Sequence, residues 1–151
     1  MSEPQIRTFL MFQDGGAEEA VRHYASLLPD SRIEDVQHYG ADGPGAPGTV
    51  NQATFTLLGQ RFMCIDSPIA HDFDFTPSMS LYVACTDEPE FDRLHQGLGD
   101  GGRELMPPDD YGFSRRFVWV VDRHGVSWQI NLPHEGAVQH RRVSVTAPGP
   151  G

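Results

Sequence analysis

The chain has 151 residues, a hydrophobic share of 38% and a formal net charge of −10, with a sequence pI near 4.9. That balance argues against non-specific binding to nucleic acid or an anionic membrane, since both need a basic face, and no apolar run reaches membrane-spanning length. The length leads us to expect one domain, and a start at Met1-Ser-Glu-Pro-Gln without a basic, apolar secretory leader leads us to expect the cytoplasm.

In chain order, residues 6–13 predict a strand and 17–28 a helix, with apolar Ala17, Ala20, Val21, Tyr24, Leu27 and Leu28 at helical spacing and Glu18 and Glu19 in the first turn. Pro29-Asp-Ser31 stops the helix, 33–39 forms a second strand, and a Gly/Pro-rich loop covers 40–48. Residues 50–58 and 60–67 then make a hairpin around Gly59. After a linker over 68–77 the order restarts, with a strand at 78–85 and a helix at 87–98 whose apolar stripe is Phe91, Leu94 and Leu98. A glycine-rich break at 99–102, a short strand at 103–106 and a loop at 107–112 lead into a hairpin of 113–121 with 126–132. Its turn, Asp122-Arg-His-Gly125, carries the residues a type I turn favours. Beyond the turn Val126, Trp128, Ile130 and Leu132 alternate with Ser127, Gln129 and Asn131, so this strand has a greasy face and a polar one.

Each half therefore reads β-α-β-β-β. The expected fold is α+β, with tandem βαβββ modules at about 5–67 and 78–133 in a single domain over 1–133. They form a curved mixed sheet with helices on the outer face and a cleft on the inner one. Residues 134–151, polar and ending Ala-Pro-Gly-Pro-Gly, make a flexible tail.

The side chains that carry chemistry are few. Cys64 and Cys85 sit in apolar strand-like runs and read as small buried hydrophobes; no Cys-x-x-Cys suggests zinc. His71 and Asp72 to Asp74 in the linker read as solvated or structural, and Phe73 and Phe75 pack either under the linker or across a subunit boundary. His23, His38 and His95 lack partners at ligand spacing. The loop Pro107-Pro-Asp-Asp-Tyr111 forms a lid over the cleft mouth, its paired Asp109 and Asp110 reading as solvated rather than as acid and base. No nucleophile elbow, phosphate loop or dinucleotide fingerprint is present.

Three stretches carry a family resemblance: Phe9-Leu-Met-Phe-Gln-Asp-Gly-Gly-Ala-Glu-Glu-Ala-Val-Arg-His-Tyr24, Ala53-Thr-Phe-Thr-Leu-Leu-Gly-Gln-Arg-Phe-Met-Cys-Ile-Asp66, and 118–133 with its Ser127-Trp128-Gln129 core. They resemble the vicinal oxygen chelate superfamily of glyoxalase I, bleomycin-resistance proteins and extradiol dioxygenases. Within it they resemble the PhnB-like branch often labelled 3-demethylubiquinone-9 3-methyltransferase. The resemblance implies four strand positions where metal-dependent relatives place His, Gln or Glu. These fall on Thr8 or Phe9, on Met63, on Ser78 with Ser80 and Tyr82 on the same face, and on Gln129. Such side chains are poor ligands for a divalent cation, so no metal and no cofactor are expected.

The expected function is metal-free binding of an unidentified small molecule in a cleft lined by Gln129, Trp119, Phe117, Ser78, Ser80, Tyr82, Met63 and Tyr111, with Trp128 in the core behind. The alternatives are a metal-dependent isomerase, lyase or dioxygenase using atypical ligands, a methyltransferase, and an interaction module without a ligand. A methyltransferase lacks support in any cofactor motif. The resemblance further implies a homodimer.

Overall fold

A computed structural model of the chain describes residues 3–135. The elements run β1 (Thr8–Phe12), α1 (Ala17–Leu27), β2 (Arg32–His38), β3 (Val50–Leu57), β4 (Gln60–Asp66), β5 (Leu81–Ala84), α2 (Glu88–Gly99), β6 (Arg103–Asp109), β7 (Arg116–Val121) and β8 (Ser127–Leu132). The tail expected from 134 onward lies, beyond residue 135, outside the described residues.

Both helices start on carboxylates. Asp66, at the end of β4, reaches back to accept the Ala17 N–H at 3.0 Å and so begins α1 in place of a local cap. Asp87 caps α2 by accepting the Glu90 N–H at 2.9 Å, while Glu90 accepts the Thr86 N–H at 3.0 Å, a reciprocal pair that satisfies two otherwise orphaned donors. Each helix buries one face: Ala17, Ala20, Val21 and Tyr24 in α1, and Phe91, Leu94 and Leu98 in α2.

The tandem βαβββ reading holds. Each module makes its own four-stranded mixed sheet, in the orders β1-β4-β3-β2 and β5-β8-β7-β6. In both, the first strand runs parallel to the fourth and the remaining pairs are antiparallel. One buried cluster joins the helices to one face of each sheet, with Phe12, Phe55, Phe62 and Cys64 from the first module meeting Val118, Trp128 and Ile130 from the second. The opposite sheet faces, which carry the alternating polar side chains, are left open. No helix among the described residues is long and apolar enough to cross a membrane.

Three boundaries differ from the sequence reading by three residues, each for a local reason. β5 begins at Leu81 rather than 78, because the Thr76 and Ser78 hydroxyls bond each other at 2.5 Å and the Met79 N–H bonds the Thr76 carbonyl, turning the chain. β7 begins at Arg116 rather than 113, because the Phe113 and Ser114 N–H groups both bond the Asp110 carbonyl. β6 runs on to Asp109 and absorbs half of the expected lid. It is an edge strand with an irregular register between Met106 and Asp109, where Pro107 and Pro108 cost no ladder bonds.

Candidate functional site

The open face of the second sheet gathers most of the expected cleft residues. Register sets them side by side: Gln129 on β8 pairs with Tyr82 on β5 and with Trp119 on β7. A hydrogen-bond chain locks them. Trp119 Nε1 donates to Ser127 Oγ at 2.8 Å, Ser127 Oγ and Ser80 Oγ lie 2.6 Å apart, and Gln129 Nε2 donates to Ser80 Oγ at 3.3 Å. The two hydroxyls share one proton between them, so one hydroxyl hydrogen and the Gln129 carbonyl oxygen remain to meet a ligand. Tyr82 is 59% exposed. Desolvation pushes its phenol up and a hydrogen bond from Asn131 opposes that, leaving the neutral form as the working one.

An aromatic cluster flanks this network. Phe117 pairs with Asn131 one step along the ladder and packs edge-on against Phe113 at 5.1 Å and Tyr111 at 6.1 Å. Tyr111 is held by a hydrogen bond from its hydroxyl to the Pro107 carbonyl. Asp109 and Asp110 are spent on turn geometry, accepting the N–H groups of Asp110 and Gly112 respectively. Ser127, the hub of the network, is a site residue that the sequence does not single out, although alternation places it on the Gln129 face of β8. Asn131, whose Oδ1 is buried without a partner, was missed in the same way.

One alternative left open by the sequence is decided, and one expected position needs correction. Thr8 pairs with Phe62 and shares the side of Leu10 and Phe12, which are buried, so the open-face position on β1 is Phe9, paired with Met63. Ser78 sits in the turn before β5 and not on a strand, bonded to Thr76. Met63 stands on the first sheet, beside Phe9 and Thr54, apart from the Gln129 network on the second.

The positions the resemblance assigns to metal ligands thus carry Phe9, which has no donor atom, Met63, a soft thioether, Ser78, which is off the strand, and Gln129, whose amide nitrogen is already engaged. That donor set does not fit a hard or borderline divalent cation. Among the described residues no group of three or more His, Cys, Asp or Glu is placed to hold one. Four of the histidines have other partners: His38 bonds Glu18, His95 bonds Glu104 at 2.6 Å, His23 bonds the Gly97 carbonyl at 2.8 Å, and His71 bonds Ser67 at 3.0 Å; His124 Nε2 is buried without a hydrogen-bond partner. Phe75 of the linker packs edge-on against Phe12 at 5.2 Å, whereas Phe73 is 58% exposed. Both cysteines are buried and free.

Residues 4–131 match the family described as 3-demethylubiquinone-9 3-methyltransferase. Among solved structures, a 3-demethylubiquinone-9 3-methyltransferase-like PhnB protein from Bacillus cereus is 52% identical, with a TM-score of 0.83, covering 85% of this chain and 99% of that one. A protein from Pseudomonas aeruginosa is 25% identical, with a TM-score of 0.73, covering 87% and 98%. A glyoxylase/bleomycin resistance protein/dioxygenase domain from Frankia shares the fold at 13% identity, with a TM-score of 0.59, covering 90% and 96%. No functionally curated protein matches the chain.

Proposed function

The chain belongs to the family described as 3-demethylubiquinone-9 3-methyltransferase, and from that premise we propose that it is a metal-free member of the glyoxalase/bleomycin resistance/dioxygenase superfamily, whose fold it shares, that binds a small molecule on the open face of its second sheet. The observation that carries the proposal is the chain of bonds from Trp119 through Ser127 and Ser80 to Gln129. Polar groups fixed in this way beside an exposed Tyr82 and the Phe117 cluster suit a planar ligand, its ring against the aromatics and its polar atoms on Gln129 and the free hydroxyl.

The family's description is a name and not an assay. Two mixed sheets with one parallel pair each provide no open parallel sheet on which a nucleotide-like methyl donor would ordinarily sit. The proposal extends to a homodimer in the cytoplasm, since Ile69 and Phe73 of the linker leave apolar area that a second copy would cover. Native mass spectrometry of freshly purified protein tests it. The expected result is a dimer without transition metal that retains a small molecule. A stoichiometric metal that is lost in Gln129→Ala would overturn it in favour of a metal-dependent enzyme, and calorimetric binding of S-adenosylmethionine would favour the methyltransferase reading.

A further inference from the structure

The eleven basic side chains of this acidic chain are all arginine. Among the described residues, Arg22, Arg32, Arg115, Arg116 and Arg123 lie within 4.0 Å of carboxylates. Arg7 and Arg61 behave differently. Both guanidinium groups donate to one neutral atom, Gln5 Oε1, at 3.0 and 2.9 Å. The parallel pairing Thr8↔Phe62 places residues 7 and 61 side by side just ahead of it, and the alternation then sets Phe9 and Met63 on the same open face. Two like charges gathered on an uncharged oxygen repel each other, and an anion bridging them would relieve that repulsion. Guanidinium pairs match carboxylate geometry.

Arg7 also lines a cavity of about 580 Å³ between the edges of β1 and β5, a volume within the usual range for small-molecule sites. Phe9, Leu81 and Val126 supply its apolar wall, and Ser80 and Ser127 link it to the hydrogen-bond network of the second sheet. Asp74 lines it too, its Oδ1 accepting the Phe75 N–H at 2.8 Å, and no ion pair joins it to Arg7 among the described residues. Arg7 and Asp74 are the charged side chains that line it, and a negative charge so near the arginine favours a monoanion over a dianion.

We propose that this cavity binds a small apolar carboxylate, with its anionic group on Arg7 at the cavity edge, where Gln5 holds Arg61 beside it, and its body against Phe9, Leu81 and Val126. The inference goes beyond the sheet-face site proposed above, with which it shares only Ser80 and Ser127.

The test is an amide NMR titration with 1-naphthoate and its neutral counterpart 1-naphthamide. Naphthoate is expected to shift the amides of Phe9, Leu81 and Ser127, and to bind about tenfold more tightly than the amide. In the double variant Arg7→Gln/Arg61→Gln naphthoate affinity falls about tenfold while naphthamide affinity is unchanged, which also shows that the variant is folded. Asp74→Asn tightens naphthoate. Equal binding of acid and amide, naphthoate affinity that ignores both arginines, or no binding at all would overturn the proposal. Shifts confined to Trp119 and Gln129 would sink the cavity and leave the sheet-face reading standing. Shifts at Phe9 that depend on the arginines, with none at Trp119 or Gln129, would support the cavity and remove the sheet-face site.

Discussion

The Tyr24 hydroxyl donates a 2.5 Å hydrogen bond to Asp122 Oδ2, tying α1 to the turn between β7 and β8 across 98 residues of chain. Asp122 is buried and fully used. Its Oδ2 also accepts Trp128 Nε1 at 2.9 Å, and its Oδ1 accepts the N–H groups of His124 at 2.8 Å and Val126 at 3.0 Å. The Tyr24 ring stands edge-on to Trp128 at 5.0 Å. One carboxylate therefore shapes the hairpin turn and docks the first module on the second. Asp66 plays a related part within the first module, accepting the N–H groups that open α1 and β3.

Removing that carboxylate leaves four donors short of a partner in a dry site. Asp122→Ala is expected to destabilise the fold by about 3–5 kcal/mol. Tyr24→Phe, which deletes one of the four bonds and keeps the ring, should cost about 1–2 kcal/mol. Urea unfolding of both single variants and the double gives the coupling. Additive losses would show that the two residues do not act together.

The same site sets a pH dependence at the alkaline end. Burial, reinforced by the Asp122 charge, holds the Tyr24 phenol well above its ordinary 10.0. Burial pushes the Cys64 and Cys85 thiols from 9.0 up to about 12, with smaller contributions from Asp66 and Glu90. All three fold as neutral acids. In the unfolded chain they lose protons at their ordinary values, so above those values the unfolded state binds fewer protons than the folded one and stability falls as pH rises. Their contribution is whole below 9.0 and declines from there toward the folded-state values. The urea midpoint should hold steady up to that point and then drop. In Tyr24→Phe the part of the drop that sets in above 10.0 should shrink. A midpoint that does not move through this range would contradict the assignment.

The elements whose pattern is local were readable from the residues: α1 and α2 from their apolar spacing, and β8 from strict alternation. Boundaries slipped where side chains override propensity, as when the Thr76 and Ser78 hydroxyls turn the chain ahead of β5. At the site, Gln129 and Trp119 came together because alternation plus hairpin pairing fixes their face, whereas Ser80 and Tyr82 reach Gln129 through the parallel pairing of β5 with β8, which only the family resemblance implied. Thr8 and Phe9 could not be told apart, since only the burial of Leu10 and Phe12 decides which side of β1 is open. The meeting of Arg7 with Arg61 was invisible for a different reason. Parallel pairing between β1 and β4 joins segments more than fifty positions apart, and nothing local to either segment announces the register.

Close backbone packing makes a further test. A Cβ built on Gly102 would lie 2.1 Å from the Val121 carbonyl oxygen and 3.0 Å from Asp122 Cα, both backbone atoms beside the buried Asp122 turn. Gly102→Ala should therefore destabilise by about 1–3 kcal/mol, through a clash that side-chain rotation cannot relieve. Gly40, where an added Cβ meets nothing within 4 Å, is the control, and Gly40→Ala should stay within about 0.5 kcal/mol of the parent. Similar thermal midpoints for the two variants would argue against this packing.

The last prediction separates a missing ligand from a missing site. If metal binding failed only because residue 129 is an amide, Gln129→Glu would restore it. Phe9 supplies no donor and Met63 a soft one, and Ser78 lies off the strand, so a single new carboxylate meets no second good ligand. Gln129→Glu is therefore expected to retain no stoichiometric zinc, manganese or nickel after dialysis, as measured by elemental analysis. It should also reverse one bond of the network, since a carboxylate cannot donate to Ser80 and accepts from its hydroxyl instead. Near-UV circular dichroism of Trp119, whose Nε1 is held by Ser127 at 2.8 Å, should therefore stay close to the parent's. Recovery of one metal per chain in this variant would mean that donors outside the four positions complete a site, and the case for metal-free binding would fall.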